Sequence, residues 1–327
     1  MKEWQLRQRQ SLPLQQKIMM TKRRIRNYYD HFDGDVYLSY SGGKDSEVLR
    51  QIIKEMKGYT DITNVFCQTG LQLKSVRERV LELASDKDSF EEQTKYGYTQ
   101  RFYSNSNLVV LKPKMNFRET IIKYGYPVVS KEQAQFIYEY SNTTSDNLRS
   151  TRWNGNKNGN FKISEKWKFL VDVPFDISDK CCDIMKKRPF KRYEHEFNQN
   201  PIIATLANES MGRKQKYLQG DGCNVFDCER PHSNPISFWT EQDVLEFIYK
   251  RDINLPEVYG EVVREEGVYK TTHRSRTGCA FCLFGIDQEE EPNRIQKLKK
   301  DDPQMYQYCI DKLRLGEVME FINIPYK

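Results

Sequence analysis

The sequence predicts an α/β protein with a doubly wound, mostly parallel sheet, helices on both faces and a small cysteine-containing C-terminal region. Two observations carry this prediction. Short apolar segments alternate with amphipathic ones, and a glycine-containing turn joins the first such pair. The predicted strands are residues 36–40, 63–68, 107–111, 168–173 and 200–206.

The helices are predicted from apolar residues that recur every three or four positions. They cover residues 47–56, 117–124 and 131–140, and a further helix opens at Thr240 with Asp243 as its capping-box partner. The Asn- and Gly-rich residues 152–160 are predicted to form an exposed loop.

Charge is concentrated at the start of the chain. The 327 residues carry a net charge of +6, and the first 30 hold eight Lys/Arg against two acidic residues, which is the whole excess. We predict a basic N-terminal helical segment (1–34), an α/β domain (35–250) and a C-terminal region (251–327). The basic segment is interpreted as an amphipathic helix with Leu14, Ile18, Ile25 and Tyr28 packed inward. A contact with nucleic acid stays open beside it.

The chain shows neither an apolar segment typical of a secretion signal nor a run long enough to cross a membrane. We therefore expect a cytoplasmic protein with no membrane partner. In a reducing compartment its eight cysteines are expected to be metal ligands or reactive thiols rather than disulfides.

The turn at residues 41–46 reads Ser-Gly-Gly-Lys-Asp-Ser, between a predicted strand and a predicted helix. Glycines leave no Cβ between the backbone amides and a ligand, and the first helical amides point out of the turn at the positive end of the helix dipole. The turn therefore predicts a cradle for phosphate or sulfate, with the Lys44 and Ser46 side chains assisting. The alternative is a tight turn that binds nothing.

This string resembles the PP-loop of the adenine nucleotide alpha hydrolase superfamily, a Rossmann-like fold that includes the PAPS/APS reductases and the ATP pyrophosphatases. The resemblance also covers Thr69-Gly70 and the Glu209–Arg213 segment, where the guanidinium of Arg213 suits an oxyanion. It implies the nucleotide-binding residues Ser41, Gly42, Gly43, Lys44, Asp45, Ser46, Thr69, Gly70, Glu209, Ser210 and Arg213. Of these, the candidates for catalysis are Lys44, Asp45 and Arg213.

Two groups of cysteines are candidate metal ligands, the adjacent pair Cys181-Cys182 and the CxxC turn at residues 279–282. Their order resembles the ligand set of the APS-reductase branch, which implies a [4Fe–4S] cluster on Cys181, Cys182, Cys279 and Cys282. Two alternatives stay open: free thiols, or a zinc site formed by Cys223, Cys228, Cys279 and Cys282.

The resemblance implies a PAPS/APS reductase family enzyme that binds an adenine (sulfo)nucleotide and acts in sulfur transfer or sulfonucleotide reduction, with a thioredoxin-like reductant. Sulfonucleotide reductases attack sulfur with a cysteine in an ECG(L/I)H segment, but no cysteine follows Cys309 here. A second hypothesis is therefore an ATP pyrophosphatase that adenylates its target with Mg²⁺ and ATP for sulfur insertion into nucleic acid, as DndC-like proteins do, with a cysteine-derived sulfur donor. A third is a catalytically silent module that binds nucleotide and senses redox state.

Overall fold

The structure, a computed structural model, describes residues 1–83, 89–93, 99–103, 107–220 and 222–327. The α-helices are α1 (Glu3–Gln10), α2 (Leu14–His31), α3 (Lys44–Lys54), α4 (Lys74–Glu82), α5 (Phe117–Tyr124), α6 (Lys131–Asn142), α7 (Asp146–Asn154), α8 (Lys180–Cys182), α9 (Arg188–Phe197), α10 (Met211–Gln219), α11 (Glu241–Lys250), α12 (Arg294–Asp301), α13 (Pro303–Gln307) and α14 (Leu315–Phe321). Short 3-10 helices cover Glu165–Val171, Ala207–Glu209, Glu257–Tyr259 and Ile286–Gln288, and π-helical turns cover Asp183–Lys187 and Tyr308–Lys312.

The strands are β1 (Val36–Ser39), β2 (Thr63–Cys67), β3 (Ser89–Gln93), β4 (Thr99–Tyr103), β5 (Leu108–Leu111), β6 (Val128–Val129), β7 (Asn200–Ile203), β8 (Asn224–Val225), β9 (His232–Ser233), β10 (Val262–Glu265), β11 (Val268–Thr271) and β12 (Leu283–Phe284). Eight of them form one sheet in the order β3-β4-β5-β2-β1-β7-β9-β8. The central pairs are parallel, with Leu38 opposite Asn64 on one side and Ile202 on the other. The antiparallel pairs of this sheet, β3–β4, β4–β5 and β8–β9, lie near its two edges. The predicted α/β class with a mostly parallel sheet is confirmed.

Both faces of the sheet are buried, as a doubly wound sheet requires. Side chains alternate along a strand, so neighbouring residues enter different cores. Val36 and Leu38 pack into a large core with α2, α3 and α11, whereas Tyr37 packs on the opposite face with Tyr193 of α9. The buried parts of these strands, Val36–Leu38, Val65–Cys67 and Leu108–Leu111, are apolar, so each reads in the sequence as a short apolar run.

The predicted strands at β1, β2, β5 and β7 are confirmed, as are the helices corresponding to α3, α5 and α6. The capping box that opens α11 is also present. The amide of Asp243 donates to Thr240 Oγ1 (3.2 Å), and the amide of Thr240 donates to Asp243 Oδ2 (2.6 Å).

Two local predictions were wrong. Residues 168–173 were predicted to be a strand, but Glu165–Val171 is a 3-10 helix. Trp167 and Leu170 are both buried three positions apart, which is the period of a 3-10 helix rather than of a strand. The predicted loop at 152–160 begins later than expected, because α7 continues to Asn154 and ends at Gly155, which has a φ of +93°.

The described chain divides into two compact units. The first contains residues 1–68, 74–112 and 190–277, including the eight-stranded sheet, and the second contains residues 69–73, 113–189 and 278–327. The domain boundaries predicted at 34/35 and 250/251 stay predictions. None of the helices among the described residues combines the length and apolar character needed to cross a membrane.

Candidate functional site

The turn at residues 41–46 lies in the first unit, between the end of β1 and the start of α3. Gly42 has a φ of +75°, which L side chains rarely adopt, and a Cβ there would lie 2.6 Å from Val80 Cγ2. Gly43 is the N-cap of α3 in an extended conformation. The turn therefore needs glycine at position 42 for backbone conformation and close packing.

The two serines of the turn bond to the turn itself. The hydroxyl of Ser46 donates to Gly43 O (2.9 Å) and lies 3.0 Å from Ser41 Oγ, and the amide of Ser41 donates to Ser46 Oγ (3.2 Å). These bonds close the turn. Ser41 and Ser46 thus shape the backbone.

Lys44, a residue of the turn itself, has a buried ammonium group. Its side chain is 4% exposed, and Nζ lies 3.3 Å from Glu241 Oε1 and 3.6 Å from Asp45 Oδ2. Glu241 belongs to the first turn of α11, which the sequence analysis did not connect with this site.

Asp45 is the unusual group of the turn. Its Oδ1 is buried and has no hydrogen-bond partner among the described residues. Burial raises the pKa of Asp45, the ammonium of Lys44 opposes that rise, Glu241 adds to it, and Arg276 opposes it. The turn therefore holds a carboxylate oxygen that is removed from water and open to a further partner.

Arg213 lies near the same carboxylate. β7 runs parallel to β1, so the segment after β7 that leads to α10 reaches the same edge of the sheet. Burial lowers the pKa of Arg213, the positive charge of Arg276 lowers it further, and the negative charge of Asp45 opposes this. Two guanidinium groups and the Asp45 carboxylate thus interact with one another.

Glu209 and Ser210 have local partners. The Glu209 carboxylate accepts the amide of Leu206 (3.0 Å) and pairs with the Arg213 guanidinium. Ser210 Oγ accepts the amide of Arg213 (3.3 Å) as the N-cap of α10. Both residues fix the direction of α10.

Sequence reasoning missed a tyrosine at the turn. The amide of Lys44 donates to Tyr259 Oη (3.2 Å), and this oxygen lies 2.8 Å from Thr277 Oγ1. Both residues are more than 200 positions from the turn, so only the fold brings them to it. The charge of Arg276 also acts on Asp45, and this effect too depends on the fold.

The four cysteines of the predicted cluster lie in the second unit and line one cavity. About 290 Å³ of space free of protein atoms lies there, part of it open to solvent. The other lining residues are Leu71, Phe117, Pro127, Met185 and Lys186. Met185 and Lys186 belong to the π-helical turn that follows Cys181 and Cys182, so this turn and the CxxC segment present the thiols together.

The thiols influence one another and nearby lysines. The hydrogen bond with Cys181 lowers the pKa of Cys182 to about 6, burial opposes this, and the ammonium groups of Lys131 and Lys186 assist it. Burial raises the pKa of Cys282 to about 11. The charge of Cys279 in turn raises the pKa of Lys186. The cavity thus combines thiols with cations that stabilise thiolates.

Thr69 and Gly70 also belong to the second unit. Thr69 Oγ1 accepts the amide of Leu71 (3.1 Å), and Gly70 has a φ of +75°. The carbonyl of Leu71 accepts the amide of Ala280 inside the CxxC turn (2.8 Å). The segment after β2 therefore supports the cysteine turn.

The other candidate thiols are dispersed. Cys223 is buried in the core of the first unit with its Sγ 3.1 Å from Ser237 Oγ, whereas Cys228 is exposed. Cys309 is fully buried, and burial raises its pKa to about 12. Within the described part of the chain, no three Cys, His, Asp or Glu side chains lie close enough together to hold a single metal ion.

A family model, the phosphoadenosine phosphosulfate reductase domain, matches residues 130–279. This range contains Cys181, Cys182, the Glu209–Arg213 segment and Cys279, and it begins after the turn at 41–46. No curated protein matches the sequence. Among solved structures, the phosphoadenylyl-sulfate (PAPS) reductase from Candida auris, in a phosphate complex, is 13% identical with a TM-score of 0.40, over 74% of this chain and 87% of that one. Over residues 130–279, which are somewhat less than half of the chain, the sequence is thus similar to the phosphoadenosine phosphosulfate reductase domain.

Proposed function

We propose that the chain binds an adenine (sulfo)nucleotide through the turn at residues 41–46 and acts in sulfonucleotide reduction or sulfur transfer. One observation carries the proposal. Asp45 and the buried ammonium of Lys44 belong to the first turn of α3, and the charges of Arg213 and Arg276 act at the same carboxylate.

An anionic group of the nucleotide would bind to the amides at the start of α3, where the helix dipole is positive. Among the described residues, the Lys44 ammonium pairs with Glu241 at 3.3 Å and with Asp45 at 3.6 Å, so an oxyanion can compete for it. Arg213 can turn its planar guanidinium from Glu209 to a phosphate or sulfate oxygen. Each such charge-assisted hydrogen bond contributes about 1.5–3 kcal/mol.

The donor set of the second unit fits a [4Fe–4S] cluster. Cys181, Cys182, Cys279 and Cys282 surround a common cavity, and two lysines offset the negative charge of thiolates. When bound, such a cluster supplies a centre whose potential depends on the hydrogen bonds and charges around its sulfurs. Lys131 and Lys186 would provide those charges.

A second function is favoured by the unpartnered Oδ1 of Asp45. A carboxylate oxygen is a typical Mg²⁺ ligand, and Mg²⁺ is usually held by one or two carboxylates together with the phosphates of a nucleotide such as ATP. In this alternative the chain transfers the adenylyl group of ATP to an oxygen of the target and releases pyrophosphate. Sulfur from a cysteine-derived donor then displaces that oxygen, which leaves as part of AMP.

The test uses anaerobically purified protein incubated separately with PAPS, with APS and with Mg²⁺-ATP. Sulfite release in the presence of a thioredoxin-like reductant, which supplies the two electrons, supports reduction. Pyrophosphate and AMP without sulfite support the ATP-dependent function. Bound nucleotide without any product would leave a silent binding module as the function.

The matched variants are Gly43→Ala and Gly43→Val. A Cβ at Gly43 would lie 3.2 Å from Tyr259 Oη and 3.4 Å from Ser41 Oγ, so alanine fits with little movement. The two extra methyl groups of valine would extend into the space in front of the amides. We expect valine to abolish nucleotide binding, measured by calorimetry, with an unchanged circular dichroism spectrum. Equal affinity for both variants would contradict the proposed cradle.

A further inference from the structure

A tyrosine hydroxyl lies where the proposed nucleotide's anion would bind. Tyr259 is 2% exposed and ends the 3-10 helix Glu257–Tyr259. Its Oη accepts the amide hydrogen of Lys44 at 3.2 Å and lies 2.8 Å from Thr277 Oγ1. Its carbonyl accepts the amide of His273 (3.1 Å), so the backbone of the tyrosine is held in place as well.

The position of this hydroxyl matters because of the amide to which it bonds. Lys44 is the first residue of α3, and the first four amides of a helix have no partner within the helix. These amides are the groups that bind anions at helix N-termini. The Tyr259 oxygen also lies 3.2 Å from the position that a Cβ on Gly43 would take. It therefore occupies part of the space that glycine leaves open in front of the turn.

We propose that Tyr259 is a specificity-determining residue of the nucleotide site, because its hydroxyl competes with the ligand for the Lys44 amide. This inference rests on the proposed function. An anionic oxygen accepts a stronger hydrogen bond than a neutral hydroxyl, so phosphate or sulfate can displace Tyr259 whereas an uncharged group cannot. Burial raises the pKa of Tyr259, which keeps the hydroxyl neutral at physiological pH. The tyrosine thus selects for negative charge.

Tyr259→Phe tests the proposal, since it removes the competing oxygen and keeps the ring. We expect the Kd for PAPS, for Mg²⁺-ATP and for inorganic phosphate, measured by calorimetry, to fall about 2- to 10-fold, the range of one net hydrogen bond. The matched control is Tyr193→Phe in the same unit. The hydroxyl of Tyr193 donates to Gln199 Oε1 (2.7 Å), so its removal leaves the Kd unchanged.

Hydrogen exchange in the ligand-free protein gives a second readout. The Lys44 amide exchanges faster in Tyr259→Phe than in the wild type if Tyr259 Oη is its acceptor. A wild type that binds while Tyr259→Phe has the same or a higher Kd overturns this inference alone. Absence of binding by both proteins overturns the proposed function and the inference together. Unchanged exchange of the Lys44 amide would also contradict the inference.

Discussion

Asp45 occupies a position that is unfavourable for a carboxylate. Its Oδ1 is removed from water without a hydrogen-bond partner among the described residues, and burial raises its pKa. A carboxylate in this condition costs folding free energy unless a cation or a donor arrives. The sequence identified Asp45 through the PP-loop resemblance, but the missing partner could be seen only in the structure.

The first prediction concerns the pH dependence of stability. Because the pKa of Asp45 is raised on folding, the native state holds this proton to a higher pH than the unfolded state, whose pKa is about 3.9. The contribution of Asp45 is therefore present below the unfolded pKa and is lost as the pH rises through the folded pKa. We expect Asp45→Asn to become more stable relative to the wild type over that interval, by about 1.4 kcal/mol for each pH unit between the two pKa values.

Urea unfolding of both proteins at several pH values between 4 and 8 measures this difference. A difference that shrinks as the pH rises would mean that Lys44 stabilises the carboxylate more than burial destabilises it. Added Mg²⁺ offers a separate check. If Asp45 binds the metal, Mg²⁺ raises the free energy of unfolding of the wild type and leaves that of Asp45→Asn unchanged.

The second prediction concerns the cysteines. Cys181→Ser and Cys228→Ser separate the two ligand sets, because Cys181 belongs only to the cluster set and Cys228 only to the zinc set. We expect Cys181→Ser to lose most of the bound iron and its visible absorbance, whereas Cys228→Ser keeps both. Metal analysis of anaerobically purified protein measures this. Zinc that is retained by Cys181→Ser and lost from Cys228→Ser would establish the alternative ligand set instead.

At the scale of elements, helix α2 is attached to α11 by a buried ion pair. Lys17 Nζ donates to both carboxylate oxygens of Asp243, at 2.7 and 2.6 Å, and to the carbonyl of Gln10 at 2.6 Å. The same carboxylate caps α11 through Thr240. The Asp243 side chain thus caps α11 and also holds α2 of the basic N-terminal segment against α11.

The third prediction is that Lys17→Met lowers the free energy of unfolding by about 3–5 kcal/mol, because it leaves the Asp243 charge buried without its cation. Lys22→Met is the matched control. Lys22 Nζ lies 2.7 Å from Glu55 Oε2, but these side chains are 30% and 28% exposed, against 2% and 11% for Lys17 and Asp243. The control is expected to cost about 1 kcal/mol or less. Urea unfolding at neutral pH measures both, and equal losses would contradict a special role for the buried pair.

The elements also show what local pattern can predict. The apolar runs of β1, β2, β5 and β7 and the capping box of α11 depend on neighbouring residues, so the sequence contained them. The 3-10 helix Glu165–Val171 was mistaken for a strand. Its two buried residues, Trp167 and Leu170, are too few to distinguish the three-residue period of a 3-10 helix from the two-residue period of a strand. The Tyr259 contact and the neighbourhood of Arg276 depend on chain segments more than 200 residues apart. No local pattern could have predicted them.

At the scale of the whole molecule, the question is whether the basic residues of the N-terminal segment bind nucleic acid or pair with other residues of the protein. In the part of the chain that the structure describes, six of its eight basic residues have side-chain partners. These partners are Glu3 for Arg7, Tyr217 for Arg9, Asp243 for Lys17, Glu55 for Lys22, the ring of Phe238 for Arg24 and the ring of Tyr59 for Arg26. The sequence presented these residues as a surplus of positive charge, whereas the structure engages most of them in packing.

The last prediction follows from this use of charge. A protein that contacts DNA phosphates through Lys or Arg loses affinity with salt at a slope of about −0.9 per contact on logarithmic axes. The variant Arg23→Gln/Arg26→Gln removes two exposed charges of α2. We expect the salt slope for binding to a duplex DNA fragment to be the same in this variant and in the wild type, unless neither protein binds the DNA at low salt. A fluorescence anisotropy titration at four salt concentrations measures the slope. A slope smaller by about 2 in the variant would make α2 a phosphate-binding surface. It would also give the ATP-dependent function a nucleic acid as the group to be adenylated.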